Sequence, residues 1–370
     1  MKQHFSKTKS RCVQICLLSL LLLIGIMAAM PTVNAANEYD QGDVDVIRNI
    51  METNGLKGNP NNPAGWTFVE WDKSSPRRIT KLYLNDKKLT GDLDVSGLTE
   101  LKDLECFDNK LTSLNASGLT KLTEINCGKN QLTSLNVSGL SALKYLHCSE
   151  NQLTNLNISG LVALTSLRCD MNQLIELDVT GLTELTVLSC SMNQLTSLNV
   201  SGLPKLTYLS CSYNQLTNLH VSELPALKTL DCRINQLTSL DVSEFPALNR
   251  LDCSNNQLTS LNLSGLPMLK NLDCRINQLT SLDLSGLPAL KKLDCRSNQL
   301  RSLDVSELEK LTNLRYSDNG NLKVTGWTAF EEMRSFVYNM YLEMPILIFI
   351  TFIAFSLLLR NIIKNKKIKK

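Results

Sequence analysis

The sequence predicts a solenoid of stacked repeats, with a parallel β-sheet on a concave face and extended or 3₁₀ segments on the convex side. Ten cysteines lie 21 residues apart without a slip, from Cys106 to Cys295. An asparagine follows each of them by three residues, from Asn109 to Asn298. Because aromatic residues make up only 5% of the chain, one repetitive architecture explains its length better than several globular domains.

The pattern within one unit explains the residue types. It reads L-x-x-L-x-C-x-x-N-Q-L-T-S-L, a form of the leucine-rich-repeat signature in which each unit adds a short parallel strand to a horseshoe. Alternation along the strand predicts that Leu230 and Cys232 point inward, while Asp231 faces solvent. The asparagine after the strand is expected to bond backbone groups of the turn. No unit can bury its leucines alone, so stacking provides the stability.

The cysteine row predicts free thiols. The strands of adjacent units, which we call rungs, lie about 4.8 Å apart, and their Cα–Cβ bonds are parallel. A disulfide instead needs Cβ atoms about 3.8 Å apart and side chains that point toward each other. One sulfur per strand also offers no tetrahedral metal site. We therefore expect a ladder of buried thiols, with no metal site and no cofactor.

The chain is divided by composition into six segments. The predicted segments are a signal peptide (1–35), an N-terminal cap (36–78), the leucine-rich-repeat domain (79–326), a C-terminal cap and juxtamembrane linker (327–343), a transmembrane helix (344–360) and a basic cytoplasmic tail (361–370). A basic start, an apolar stretch and Val33-Asn34-Ala35 indicate a signal cleaved after Ala35, with an uncleaved anchor as the alternative. Residues 344–359 carry no charge and are followed by six cations, which predicts one span with a cytoplasmic C-terminus.

Apolar residues beside the repeats predict the covers that a solenoid needs at its ends. Residues 43–54 are expected to form a helix with Asp43 as N-cap and Gly55 as terminator. The helix would bury one face, and an aromatic cluster would follow it: Val46, Ile47, Ile50 and Met51, then Trp66, Phe68 and Trp71. The far end would be covered by Trp327, Phe330, Met333, Phe336 and Val337.

The solvent-facing columns of the concave face are the candidate binding surface, since the repeat leaves only those positions free. Aromatic and small polar residues occupy the early units, and an aspartate row flanked by arginines occupies the last four. The candidate ligand-binding residues are Tyr145, His147, Val187, Tyr208, Tyr213, Asp231, Arg233, Asp252, Asp273, Arg275, Asp294 and Arg296.

Two features of this surface admit more than one interpretation. The aspartate row can be a self-satisfied surface ladder, a charged docking strip or a weak Ca²⁺ site. An edge column can contact a partner protein or tuck into the turns. That column consists of Met171, Met192, Tyr213, Ile234, Asn255 and Ile276.

Several functions are excluded by the sequence. Residues 36–343 hold 28 of the 38 Lys and Arg against all 35 Asp and Glu, which argues against a nucleic-acid partner. No nucleophile and base converge, and His147 and His220 fall on different faces, so we expect neither an enzyme nor a small-molecule substrate. Five asparagines begin N-x-S sites, but aspartate takes the same position in other units, which indicates a role in the turn. These asparagines are Asn115, Asn136, Asn157, Asn199 and Asn262.

The 21-residue period, with cysteine in place of a strand leucine and N-Q-L-T-S-L after it, resembles the bacterial internalin-like leucine-rich-repeat surface proteins, in particular the cysteine-containing repeats of internalin J. The resemblance covers residues 79–320. It implies a secreted adhesin whose concave face binds a host or surface protein or a glycan. The L-P-x-T-G sorting motif usual in such proteins is missing, so covalent wall attachment is not implied.

The sequence therefore predicts a recognition and adhesion scaffold on the outer face of the plasma membrane, held by a single C-terminal helix. Its partner would be a protein or glycan on a host or cell surface. Two alternatives remain open: a structural surface component that self-associates through the edge column, and a truncated remnant of a longer wall-anchored adhesin.

Overall fold

The computed structural model describes residues 38–243 and 245–327, and within them the chain is a leucine-rich-repeat solenoid with little helix. The predicted signal peptide, transmembrane helix and cytoplasmic tail lie outside the described residues, as do residues 328–343 of the predicted linker. Across the described ranges, no helix has the length and apolar character needed to span a membrane.

The N-terminal cap is built on helix α1 (Gln41–Asn54), which begins earlier than predicted. The N-cap is Asp40, whose carboxylate accepts a hydrogen bond from the backbone N–H of Asp43 at 3.1 Å. The prediction that Asp43 caps the helix is therefore wrong. Asp43 is instead buried and binds Arg78 and the backbone of Ile79, which ties the helix to the first repeat. Gly55 ends the helix in the left-handed conformation, as predicted.

The strands lie on both sides of the solenoid, and most of them belong to one long sheet. A 3₁₀ turn (Pro63–Gly65) precedes them. In chain order they are β1 (Val69–Trp71), β2 (Ile79–Tyr83), β3 (Thr90–Asp94), β4 (Asp103–Glu105), β5 (Lys110–Asn115), β6 (Glu124–Asn126), β7 (Ser134–Asn136), β8 (Tyr145–His147), β9 (Ser166–Arg168), β10 (Val187–Ser189), β11 (Ser197–Asn199), β12 (Tyr208–Ser210), β13 (Asn218–His220), β14 (Thr229–Asp231), β15 (Arg250–Asp252), β16 (Asn271–Asp273), β17 (Lys292–Asp294), β18 (Ser302–Asp304), β19 (Asn313–Arg315) and β20 (Lys323–Thr325).

Thirteen of these strands form one long sheet, in the order β1-β2-β4-β6-β8-β9-β10-β12-β14-β15-β16-β17-β19. From β2 onward the pairing is parallel and each residue faces its equivalent one unit away, as Leu209 faces Leu230. β1 pairs antiparallel with β2 and covers the first edge of the sheet. We call the solvent-facing side of this sheet the concave face, following the prediction.

The return side is extended, and short ladders form where the strands pair. These ladders are β3-β5-β7, β11-β13 and β18-β20. The first unit is one residue longer, and the pairing of β3 with β5 shifts register between Gly91 and Asp92, with Gly91 at φ 75°. Of the predicted alternatives for the convex side, the described repeats use extended backbone rather than 3₁₀ helix.

The interior is a stack of apolar rows. The strand leucines, the return-side leucines and all ten repeat cysteines are buried, and every one of those cysteines is a free thiol. The predicted cysteine ladder is thus confirmed. Burial raises the pKa of the Cys106 and Cys295 thiols to about 12, so the ladder is neutral at physiological pH.

The asparagine ladder joins neighbouring units. Asn193 Nδ2 donates to the carbonyl of Cys190 in its own turn and to that of Cys169 in the preceding unit. Its Oδ1 accepts from the backbone N–H of Leu174, also in the preceding unit. The same pattern recurs in the other units, so these side chains satisfy the turn as predicted and also connect each unit to the one before it.

Candidate functional site

The concave face presents non-identical residues on an identical frame. At each rung of the parallel sheet, the strand leucine and the cysteine point inward, and the residues on either side of the leucine point outward. Rungs are paired in register, so residues from equivalent positions form columns perpendicular to the strands. Any ligand of this face therefore meets columns of side chains about 4.8 Å apart.

The first column brings Tyr145, Val187 and Tyr208 to one edge of the face. Ser166 lies between Tyr145 and Val187, and Val187 pairs directly with Tyr208. Tyr145 is 49% exposed and Tyr208 is 38% exposed. Large aromatic rings held in solvent by short rigid strands are good anchors for a partner.

Serine hydroxyls line the floor beside these aromatic residues. Ser189 Oγ donates to Asp170 Oδ1 at 2.6 Å, and the hydroxyl oxygens of Ser191 and Ser210 lie 2.7 Å apart. Ser212 Oγ donates to Ser191 Oγ at 3.0 Å. Because these side chains are small and bonded to one another, they form a polar surface next to Tyr208, which we call the serine patch.

His147 belongs to an aromatic contact that the sequence analysis missed. Its ring lies 6.2 Å from that of Phe107, two rungs away, because the intervening rung carries Gly128. A Cβ at Gly128 would lie 3.2 Å from both rings. Burial, and then the charge of Arg168, lower the pKa of His147. In the sequence, the feature that could have indicated this contact is Gly128, which leaves one position of its column without a side chain.

The last rungs carry the predicted charged zone. Arg296 binds Asp294 with two guanidinium nitrogens, Nε at 2.9 Å and Nη2 at 2.8 Å. Arg275 lies further from its neighbours, with Nε 3.5 Å from Asp273 and Nη1 3.9 Å from Asp294. Much of the charge is therefore balanced by Asp–Arg pairs within the face, as predicted for a surface ladder whose charges pair with one another.

Asp252 departs from the prediction that it faces solvent. It is only 2% exposed, and its carboxylate accepts hydrogen bonds from the backbone N–H and the hydroxyl of Ser254. Arg233 spans it and the preceding aspartate, with Nε 3.6 Å from Asp231 and Nη1 3.7 Å from Asp252. Asp252 thus supports the zone from below, and a ligand has little direct access to it.

A cavity of about 370 Å³ opens over this zone. It is lined by acidic and basic side chains and by asparagine amides. Asp273 lies at its centre, between Asp252 and Asp294 in the column. Burial and these two carboxylates raise the pKa of Asp273 to about 6, against the opposing effect of Arg275. In the described ranges, no group of three or more His, Cys, Asp and Glu side chains has the arrangement needed to hold a metal ion.

The edge column does not tuck into the turns. Met171, Met192, Tyr213 and Ile276 are exposed, and Ile234 is half-buried. The guanidinium of Arg233 lies over the ring of Tyr213, 5.7 Å from its centre. Of the two interpretations of this column, the structure shows the solvent-facing one.

The asparagines of the N-x-S sites serve the return-side turns. Asn136 Oδ1 accepts hydrogen bonds from the backbone N–H and hydroxyl of Ser138. Asp241 makes the same pair of bonds with Ser243. The interpretation of this position as a turn residue is confirmed.

Comparisons with known proteins agree with this architecture. A family model described as Leucine Rich repeats (2 copies) matches residues 183–226, 225–267 and 267–310. The functional domain of InlJ from Listeria monocytogenes, which includes a cysteine ladder, is 37% identical over 66% of this chain and 55% of that chain, with a TM-score of 0.64. The chain therefore spans little more than half of that domain. No curated protein matches the sequence.

Two further solved structures are similar. A leucine-rich-repeat protein of Leptospira interrogans is 25% identical over 65% of this chain and 71% of that chain, with a TM-score of 0.53. YopM from Yersinia pestis is 27% identical over 65% and 66%, with a TM-score of 0.56. The described part of this chain is a set of leucine-rich repeats with a cysteine ladder, similar to internalin J as its sequence predicted.

Proposed function

We propose that the chain is an extracellular recognition scaffold that binds a partner protein or glycan, on a host or cell surface, through its concave face. The observation that carries the proposal is the contrast within each unit. The inward leucine, cysteine and asparagine rows repeat from rung to rung, whereas the outward columns change. Side chains that contribute nothing to the shared frame are the ones available for recognition.

The aromatic edge is the proposed anchor of the interface. Tyr208 lies next to the serine patch, Tyr145 lies three strands away in the same column, and exposed Tyr213 directly follows Ser212 in the sequence. Aromatic side chains at such positions commonly provide most of the binding energy of an interface. The charged zone would add orientation and selectivity more than affinity.

The proposed location is the outer face of the plasma membrane, with residues 1–35 as export signal, 344–360 as anchor and 361–370 inside the cell. The charge-free runs and the lysine-rich end of the sequence support it. Protease added to intact cells is expected to remove an epitope placed in the repeats and to spare one placed after Lys370. Protection of both epitopes would contradict this location.

The proposed role is non-catalytic, without a cofactor, a small-molecule substrate or a nucleic-acid partner. None of the similar structures described above is named as an enzyme. The proposal rests on the lack of converging nucleophile and base in the sequence and on the net negative repeat domain.

The test is a triple substitution, Tyr145→Ala, Tyr208→Ala and Tyr213→Ala, in the full chain. Wild type and variant are each immobilised and incubated with solubilised host surface proteins and cell-wall glycans. The amount of material that each one captures is then compared. Loss of three anchors should weaken capture by at least about 100-fold, since each is worth about 1–2 kcal/mol. The melting temperature should not fall. Ile175→Ala is the matched control, because Ile175 is 61% exposed but lies outside the long sheet.

A second candidate function is a structural surface component that self-associates. The exposed apolar edge column favours it, because such columns suit contact with another protein. Sedimentation of the full chain separates the candidates. Concentration-dependent oligomers support self-assembly, and a monomer supports binding to a different partner.

A further inference from the structure

One position in every unit has left-handed backbone, and sequence analysis did not find it. The residue two places after the cysteine, or after its equivalent in the end units, has φ between 51° and 60° in twelve successive units. These residues are Asp86, Asp108, Lys129, Glu150, Met171, Met192, Tyr213, Ile234, Asn255, Ile276, Ser297 and Asp318. The left-handed conformation is favourable for glycine and tolerated by Asn and Asp. It is unfavourable for other residues, and most of all for β-branched ones.

The middle units run against that preference. We call Met171, Met192, Tyr213, Ile234 and Ile276 the apolar stripe. The other units have polar residues at this position (Asp, Lys, Glu, Asn or Ser), whereas the stripe has five large apolar residues, two of them isoleucine with φ near 54°. Met171 is 49% exposed, Met192 45% and Ile276 47%. Neither backbone preference nor contact with water accounts for these residues, so a contact made in a complex is the better explanation.

The members of the stripe occupy equivalent positions with the same backbone bonding, so one regular element of a partner can contact them together. Each member donates its backbone N–H to a carbonyl in the next unit, as Met192 does to Ser212 at 2.9 Å. Five rungs separate Met171 from Ile276, which is about 24 Å. An α-helix of about 16 residues has that length, and its 5.4 Å turns nearly match the rungs. Because the backbone donors of the stripe are used between units, an added β-strand would find none free.

The flanks of the stripe indicate the charge of its partner. On the concave side, Arg233 and Arg275 directly precede Ile234 and Ile276, and their Nε atoms are buried without a hydrogen-bond partner among the described residues. Their ion-pair distances are long, between 3.5 and 3.9 Å. On the other side lies a row of exposed, neutral glutamines from Gln173 to Gln278. The side chains of Arg233 and Arg275 are 37% and 35% exposed, so the outer nitrogens of their guanidinium groups can bind a carboxylate beside the apolar contact.

We propose that the apolar stripe binds an amphipathic helix of a partner protein, with apolar residues on the stripe and Asp or Glu against Arg233 and Arg275. The inference rests on the proposed function in one respect, that the partner is a protein. It adds a second contact surface beside the concave face and specifies the chemistry of what binds there. The stripe is one residue wide between polar rows, which suits a helix better than a lipid surface.

The test uses a phage-displayed library of sixteen-residue peptides, with leucine at helical spacing and random charged or polar residues elsewhere. The full chain is the bait. Peptides that do not need the stripe are removed by counter-selection with a triple variant, Met192→Asn/Tyr213→Asn/Ile234→Asn. Selected peptides should be acidic and should bind the variant at least 10-fold more weakly than the wild type. Arg233→Gln/Arg275→Gln should weaken them several-fold. Peptides that are basic, that bind the variant equally well, or that fail to enrich would overturn the inference.

The chain itself provides the control for stability. Asn255 already occupies the stripe position, so asparagine is compatible with the turn. The triple asparagine variant should therefore melt at the same temperature as the wild type or higher. Met268→Asn, at an exposed residue outside the long sheet, should leave peptide binding unchanged. Lost binding together with a lowered melting temperature would give the stripe a structural role and overturn the inference.

Other occupants give different results. Stripe-dependent oligomers of the full chain would make the occupant a second copy, and stripe-dependent binding to phosphatidylglycerol vesicles would make it a lipid surface. Both outcomes overturn the inference. Failure of the proposed function would appear elsewhere, as capture that is unaffected by Tyr145→Ala/Tyr208→Ala, since the peptide selection requires no natural partner.

Discussion

Replacement of Asn193 by alanine tests the coupling between neighbouring units. Its Nδ2 lies 3.0 Å from the carbonyl of Cys169, 3.1 Å from that of Cys190 and 3.2 Å from that of Ser191, and its Oδ1 accepts from Leu174 N–H at 3.0 Å. All three carbonyls keep another donor when the side chain is removed. The buried N–H of Leu174 keeps no acceptor among the described residues, so it bears the main cost.

The magnitude follows from that asymmetry. An unsatisfied buried donor costs about 1–3 kcal/mol, and the weakened shared bonds add about 1 kcal/mol. We expect Asn193→Ala to lower the free energy of unfolding by about 3 kcal/mol. Asn199→Ala is the matched control, because among the described residues the exposed Asn199 side chain accepts from Ser201 N–H alone, at 3.0 Å, and its loss should cost about 0.5–1 kcal/mol.

Urea unfolding of the full chain, followed by circular dichroism, measures both changes. A melting shift of about 6–12 °C for Asn193→Ala should accompany the loss. Asn193→Asp tests the sign of the effect, because its second oxygen would face three carbonyls when ionised and could donate to one of them when protonated. Asn193→Asp should therefore be less stable at pH 7 than at pH 4, relative to wild type. Equal costs for Asn193→Ala and Asn199→Ala would refute the reasoning.

Three further predictions concern the thiols, the charged zone and the aromatic contact. Under native conditions a bulky thiol reagent should label the ten ladder cysteines slowly and should label all ten after unfolding; rapid native labelling would contradict their burial. Because the pKa of Asp273 is raised to about 6 from a usual value of 3.8, its ionisation opposes folding, so the contribution of Asp273 to stability should fall as pH rises from about 4 to 6. Asp273→Asn should then stabilise the chain at pH 7 and leave it unchanged at pH 3, and equal effects at both pH values would contradict this. Arg168→Gln should raise the pKa of His147 in an NMR titration, whereas an unchanged midpoint would leave burial as the only cause.

The interior of the fold could be predicted because it repeats. Each of the ten cysteine-containing units places leucine, cysteine and asparagine at the same offsets, so an error in one unit would have appeared in all of them. The free thiols followed from spacing alone, since parallel side chains one rung apart do not converge. The helix start could not be found in this way, because Asp40 and Asp43 are both good capping residues and Arg78, which binds Asp43, lies 35 residues away.

The surface was harder to predict because it depends on exceptions. Asp252 is buried because Ser254, two residues on, supplies two hydrogen bonds, whereas Arg275 and Arg296 occupy the equivalent place beside Asp273 and Asp294. The contact between Phe107 and His147 depends on a missing side chain at the rung between them. The left-handed turn was visible only as aspartates at the end units, a signal that the apolar residues of the middle units obscured.

The variation between rungs solves a problem that a regular ladder creates for recognition. If all rungs were alike outside as well as inside, a partner could shift by one rung, about 4.8 Å, and lose nothing. Here such a shift would move a group bound beside Tyr208 to Thr229 or Val187, and a carboxylate bound at Arg275 to Ser254 or Arg296. The first shift removes an aromatic contact, and the second places the carboxylate either beside a serine or beside an arginine already bound to Asp294. The changing columns therefore specify one register on a uniform frame, and that register is what the tyrosine and stripe substitutions are designed to detect.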